Sequence, residues 1–275
     1  MSSAASVLAG LRAKAHTASL VVCGVGSGLT AQGAVKGGAD MLACYSTACF
    51  RVKGLPSALS FLPYSDANDL MLGSLPEVIA ASSLPVIAGI GCHDPRRSLG
   101  SLIGRVEELG AIGITNEPFI GAYGSELRAQ LDAAGLGFER EVALVQTATS
   151  RGLLTLAWAW SADDARRMVQ AGSEIIGAML GFGGPAHPPA QADAHVQDKL
   201  KELQLIVRAA RDEKPDTIVL IHGGPFDSPE QVRLALEKSG ADGYVSGSSG
   251  ERTPAIQGIG LAVASYRFKK QSSGV

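Results

Sequence analysis

Short, uninterrupted apolar runs recur along the whole chain, at Ser19–Gly24, Asp40–Cys44, Pro85–Gly89, Ala111–Thr115, Leu153–Trp158, Glu174–Met179, Thr217–Ile221 and Gly243–Val245. None alternates apolar with polar residues, so each reads as a strand buried on both faces, as in a parallel sheet. The stretches between them carry helical spacing. Asp163–Gln170 places Ala165, Met168 and Val169 on one face, and Asp198–Arg211 places Leu200, Leu203, Ile206, Val207 and Ala210 on another. Pro63–Ser82 predicts a helix that starts at Asp66-Ala67-Asn68, and Glu139–Ser150 predicts a second. Ser228-Pro229-Glu230 reads as a cap, a first-turn proline and an acid at the positive helix end.

The entries into the strands share one turn chemistry. Gly37-Gly38-Ala39-Asp40, Leu109-Gly110-Ala111, Ala171-Gly172-Ser173-Glu174 and Ser239-Gly240-Ala241-Asp242 each close a helix and open a strand. Glycine suits the left-handed position just past a helix C-terminus. Eight such units in 275 residues predict the α/β class, as a single (β/α)8 TIM barrel with parallel strands. Its core runs from about residue 19 to 267, with 271–275 as a frayed tail. An open dinucleotide-binding sheet is the rival, but Gly24-Val25-Gly26-Ser27-Gly28 does not complete a GxGxxG pattern, and no acid closes the second strand.

Composition narrows the partners. Lys+Arg is 24 and Asp+Glu 26, a net charge of −2, which provides no basic footprint for nucleic acid or an acidic membrane. No apolar run has the length of a membrane span, and Met1–His16 lacks a signal-peptide core. Four cysteines in this length are no disulfide framework, so the expected setting is reducing and cytoplasmic. Cys23, Cys44, Cys49 and Cys92 lack CxxC spacing and read as buried thiols rather than metal ligands. A homo-oligomer is expected.

In a barrel the polar residues just past the strand C-termini share one mouth. Here they are Ser27, Tyr45, Arg51, His93, Asp94, Asn116, Glu117, Trp158, Trp160, His187, His222 and the segment Ser246–Arg252. The last two loops, His222-Gly223-Gly224-Pro225 and Gly247-Ser248-Ser249-Gly250-Glu251-Arg252, have the bare backbone and donors of an anion cradle. Gly223, Gly224, Gly247, Ser248, Ser249 and Arg252, with Ser27, are therefore the candidate binding residues for a small anionic metabolite. His222 is the candidate proton carrier. Tyr45, Arg51 and Asn116 are candidates to orient a carbonyl or stabilise an enolate oxygen, with Glu141 beside them. Asp66, Asp94 and Glu141 are the candidates for Mg²⁺ or another divalent cation, without metal-ligand spacing behind any of them.

Several segments resemble those of the phosphoenolpyruvate hydrolase-like TIM-barrel family. They are Gly26–Ala31, Tyr45-Ser46 with Phe50-Arg51, Leu62–Asn68, Gly89–Pro95, Asn116–Gly121, Gly135–Phe138 with Glu141, His222–Pro225 and Gly247–Pro254. The barrel also resembles the C-terminal half of a tomato mosaic virus resistance protein, which acts by binding. The resemblance implies hydrolysis of phosphoenolpyruvate or phosphonopyruvate, or retro-aldol lysis of a related 2-oxo acid. A catalytically silent binding barrel is the alternative. The related mutase-like barrels hold Mg²⁺ through a carboxylate cluster that the pattern does not place here. The loop Gly181–Pro189 also departs from the Thr- and Gly-rich loop the family implies.

Overall fold

The computed structural model describes residues 3–182 and 189–267. Eight parallel strands close into a barrel in chain order: β1 (Leu20–Gly24), β2 (Met41–Cys44), β3 (Val86–Gly89), β4 (Gly113–Thr115), β5 (Leu154–Ala159), β6 (Ile175–Met179), β7 (Ile218–His222) and β8 (Gly243–Ser246). Each predicted apolar run overlaps one of them, and β5, β7 and β8 continue one residue beyond their runs. The ring closes where Val22 of β1 pairs with Met41 of β2 on one side and Val245 of β8 on the other.

The helices are α1 (Ala4–Ala15), α2 (Gly28–Lys36), α3 (Ser46–Arg51), α4 (Ala67–Ala80), α5 (Leu99–Glu108), α6 (Gly124–Ala133), α7 (Phe138–Ser150), α8 (Ala162–Gln170), α9 (Pro189–Glu213), α10 (Pro229–Ser239) and α11 (Arg252–Ser265). The glycines of the repeated turn take left-handed backbone at Gly38, Gly110, Gly172 and Gly240, with φ between 76° and 102°. Asp66 caps α4 and Ser228 caps α10, as their spacing predicts. Helix α1 has no counterpart in the apolar pattern. Its Leu11 packs among Leu20, Met41, Leu154 and Ile218. Tail residues 271–275 and His187 lie outside the described residues. Among those described, no helix is long and apolar enough to cross a membrane.

The core has two layers. Leu20, Val22, Met41, Ile87, Leu156, Ile175, Leu220 and Val245 fill the barrel interior. Outside the ring, apolar faces of the helices cover the outward residues of the strands in two clusters, one around β5–β7 and one around β2–β4. This rigid frame holds the loops at the strand C-termini, where ligands of such barrels bind.

Candidate active site

A cavity of about 520 Å³ opens at the C-terminal end of the barrel, with Tyr45, Arg51, Glu117 and His222 among its lining residues. Arg51 ends α3 and is 3% exposed. Its Nε donates to Glu251 Oε2 at 2.7 Å and its Nη2 to the Gly24 carbonyl at 3.1 Å. The other oxygen of Glu251 accepts the Gly26 amide at 2.8 Å. One carboxylate therefore ties the loops after β1 and β8 to the arginine. Such a pair is costly to bury, and removing either member would leave the other charge without compensation.

Tyr45 lies under the guanidinium, whose carbon is 5.5 Å from the ring centroid. Burial pushes the phenol up to about 12, so it remains a donor at neutral pH. The packing leaves no room for side chains behind it. A Cβ on Gly24 would sit 1.9 Å from the Tyr45 hydroxyl, and one on Gly89 would sit 2.4 Å from Tyr45 Cβ.

Glu117 follows β4 and is 3% exposed. It accepts hydrogen bonds from Thr47 Oγ1 and, at 3.3 Å, from Ser46 Oγ. Desolvation outweighs those bonds and the nearby Arg51 charge, and raises the carboxyl to about 7. His222 ends β7. Its Nδ1 donates to the Val245 carbonyl at 2.7 Å, so the neutral ring has its lone pair on Nε2. Burial, reinforced by Arg51, lowers its pKa to about 4. Phe61, Phe119, Trp158 and Phe182 form an aromatic wall, with Phe61 centred 5.2 Å from both Phe119 and Phe182 and Phe119 6.0 Å from Trp158.

The structure gathers Tyr45, Arg51, His222, Gly223, Gly224, Gly247, Ser248, Ser249 and Arg252 around this one cavity. Gly223 and Gly224 have φ of 73° and 63°, and the Gly224 amide donates to the Gly181 carbonyl at 2.9 Å. Ser248 Oγ lies 3.4 Å from Ser57 Oγ, and Ser249 Oγ 3.3 Å from the Tyr244 hydroxyl. Arg252 reaches neither Glu251 nor Asp227; its Nη1 donates to the Leu55 carbonyl at 3.0 Å.

Other sequence candidates are placed elsewhere. Ser27 caps α2, its hydroxyl accepting the Thr30 amide at 3.3 Å. Asn116 is fully buried beside β5, where Oδ1 accepts the Trp158 amide at 2.7 Å and Nδ2 donates to Glu141. Glu141 also accepts the Ile120 amide at 2.8 Å, and burial raises it to about 8. Asn116 and Glu117 are chain neighbours, so their side chains leave the backbone in different directions. Asp66 and Asp94 line a second cavity, also about 520 Å³, where both pair with Arg96 and Arg97.

Glu117, Thr47 and Glu251 carry much of the cavity chemistry without having been singled out for it by sequence. Glu117 was visible only as a polar residue after the fourth strand. Nothing in the spacing shows that Glu251, 200 positions away, meets Arg51.

A resident Mg²⁺ needs oxygen donors in octahedral array, usually including one or two free carboxylates. Among the described residues no three His, Cys, Asp or Glu side chains converge to hold a metal. Asp66 and Asp94 are held by arginines, Glu251 by Arg51 and the Gly26 amide, and Glu141 faces Asn116. These residues do not fit a resident Mg²⁺ site.

A family model described as phosphoenolpyruvate hydrolase-like matches residues 6–269. The ToMV susceptible protein tm-1(GCR26) of Solanum lycopersicum is 33% identical over 250 residues, covering 90% of this chain and 33% of that protein. The chain thus spans about a third of the length of this relative. Among solved structures, a phosphoenolpyruvate phosphomutase from Streptomyces platensis subsp. rosaceus superposes with a TM-score of 0.64 at 17% identity, covering 96% of this chain and 87% of that one. A phosphonopyruvate hydrolase in complex with oxalate and Mg²⁺ gives a TM-score of 0.57 at 14% identity, covering 94% and 84%. At these identities the likeness to the solved structures is one of fold.

Proposed function

The chain belongs to the phosphoenolpyruvate hydrolase-like family, and from that premise we propose that it is an enzyme that breaks a bond in an anionic 2-oxo acid or enol compound, by hydrolysis or retro-aldol lysis. The observation that carries this reading is the cavity floor. A fixed buried cation, Arg51, lies in the same cavity as a carboxyl that titrates near neutrality, Glu117. Perturbed acids and buried charge partners in a cleft are the usual mark of catalysis.

In this reading Arg51 and the loop donors around Gly223, Gly247 and Ser248 hold the anionic head. Tyr45 donates to the oxygen on which enolate charge develops, a fixed donor where charge appears in the transition state. For lysis of a hydroxylated acid, the Glu117 carboxylate takes the hydroxyl proton. The carbon–carbon bond breaks, its electron pair moves to the oxo oxygen, and protonated Glu117 returns the proton to the enolate carbon. A pKa near the working pH suits that exchange. His222 is too weak a base for it at about 4. Its Nε2 accepts a substrate hydroxyl and orients it. This assigns proton transfer to Glu117 and positioning to His222. No step is routed through a metal, for which the described residues present no ligand cluster.

The cavity volume falls in the ~300–1,000 Å³ range of sites that enclose drug-sized ligands. With its aromatic wall, it favours a substrate whose anionic head carries an apolar body over a bare three-carbon acid. The test is a thermal-shift and turnover screen of pyruvate, phosphoenolpyruvate, phenylpyruvate and hydroxylated 2-oxo acids, with and without Mg²⁺. A ligand at 100 times its Kd adds about 2.7 kcal/mol of stability. Turnover lost in Glu117→Gln supports the enzyme. Stabilisation with no turnover of any compound would replace it by the silent binding barrel.

A further inference from the structure

Phe61 and Phe119 have two sides. One belongs to the aromatic wall of the first cavity, and the other to the cavity of about 520 Å³ that Asp66 and Asp94 line. These two rings are the lining residues that the cavities share. Phe61 and Phe119 are 9% and 3% exposed, and the Tyr123 hydroxyl pins the Phe61 carbonyl at 2.9 Å. The pair is therefore a fixed partition, and the second cavity is a separate room rather than an arm of the first.

Its far wall is α6 and the turns beside it. Leu127 and Leu131 stand one helical turn apart on α6, and Ile120, Tyr123 and Leu136 flank them. An amphipathic helix ordinarily packs its apolar face on the core. Here no residue of α6 is buried, and Tyr123, Leu127 and Leu136 are all exposed. The apolar face of this helix thus lines open volume that an occupant would fill.

The polar side chains around the cavity decide what that occupant is, because each already has a partner. Asn68 holds the Gly91 backbone at both ends, accepting its amide at 2.9 Å and donating to its carbonyl at 3.0 Å. Asp94 pairs with Arg97 at 2.8 Å and Arg96 at 3.2 Å, and Asp66 is held by the same two arginines. His93 Nε2 lies 3.4 Å from the Gly137 carbonyl, and burial lowers its pKa, so the ring is neutral at pH 7. A charged ligand entering here would lose its hydration without gaining a counter-ion. An uncharged ring loses little and covers the exposed leucines, as ring compounds do in apolar protein cavities. The first cavity has the opposite character, with the fixed cation Arg51 on its floor.

We propose that the second cavity is a separate binding site for an uncharged, apolar small molecule of one or two rings, seated between the Phe61–Phe119 pair and the leucines of α6. Its volume lies within the ~300–1,000 Å³ of small-molecule sites. The site is independent of the reaction proposed above, and neither stands or falls with the other.

Calorimetric titration of the whole chain with indole, and with indole-3-carboxylate as its anionic counterpart, tests this. Leu127 is 42% exposed, so Leu127→Trp fills the second cavity without overpacking the core. Ala58→Trp fills the first cavity instead. Indole should bind once per chain, lose its binding in Leu127→Trp and retain it in Ala58→Trp. Any binding of the carboxylate should be untouched by Leu127→Trp, since the first cavity would take it. Absence of indole binding, indole binding that survives Leu127→Trp or is lost in Ala58→Trp, or carboxylate binding that Leu127→Trp abolishes would each overturn the proposal. If Leu127→Trp does not fold, wild-type crystals soaked with 5-bromoindole still decide the matter. The bromine should lie between Phe119, Leu127 and Leu131, and a bromine found elsewhere, or none, would overturn the assignment.

Discussion

Two buried carboxyls lie on either side of β4. Glu117 faces the cavity, accepts from Thr47 and Ser46, and shares its floor with Arg51. Glu141 faces the packed layer between β4, β5 and α7, accepts from Asn116 and the Ile120 amide, and lines neither of the two cavities described above. Burial raises both, to about 7 and about 8. A raised pKa therefore does not distinguish a catalytic carboxyl from a brace. What separates them is what else each group meets: a fixed cation and open volume in one case, an amide and backbone in the other.

The largest expected effect comes from breaking the floor. Arg51→Met leaves Glu251 buried without its partner and should cost about 3–5 kcal/mol of stability. Turnover and anion binding should vanish with it, while Arg51→Lys retains the charge and recovers part of both. Denaturant melts and single-turnover assays on the two variants check this. Undiminished anion binding in Arg51→Met would remove the arginine from the site.

Exchanging the two acids one at a time sharpens the contrast. Glu117→Gln should lower turnover by ~10²–10⁴, the usual share of a positioned acid–base group. Glu141→Gln should leave turnover within a few-fold, and Asn116→Ala should cost about 1–3 kcal/mol by orphaning buried partners. Steady-state kinetics beside thermal melts separates these outcomes. Equal kinetic losses in both glutamine variants would erase the distinction drawn here.

The pH dependence of stability offers a weaker but independent check. Each carboxyl has a folded pKa above the ordinary value of 4.5, so its protonated form favours the native state. That contribution is full below 4.5 and is lost as pH rises through about 7 for Glu117 and about 8 for Glu141. The wild-type chain should lose a few kcal/mol over this window. Glu141→Gln should flatten the part between 7 and 8, and urea melts at stepped pH values would detect it. The smallest effect belongs to the rim. Arg252→Ala should weaken an anionic ligand roughly tenfold, as for one charge-assisted bond, and change stability by under about 0.5 kcal/mol. Calorimetric titration with oxalate reads the first, and a melting curve the second.

Fold and site were legible to different depths. The strands could be read because a doubly buried strand leaves a local mark, a run such as Thr217–Ile221 with no polar interruption. The turns could be read because Gly110, Gly172 and Gly240 occupy backbone that other residues avoid. Cavity residues at strand ends, such as Tyr45 and His222, follow from the barrel alone. The direction in which Asn116 and Glu117 point does not, because it depends on strand twist and on what packs behind β5. The Arg51–Glu251 pair joins residues brought together only when β8 closes on β1. The capping role of Ser27 and the arginine pairs of Asp66 and Asp94 are equally matters of three-dimensional neighbours.

Central to the proposal is that Glu117 ionises beside a bound anion and that binding needs no metal. The most direct measurement is the affinity of phenylpyruvate in the presence of a chelator, titrated from pH 6 to 8. Binding should weaken as pH rises through about 7, because the ionised carboxylate repels the ligand. That dependence should disappear in Glu117→Gln and persist in Glu141→Gln. Binding that requires Mg²⁺, or a pH dependence that follows Glu141 instead, would contradict it.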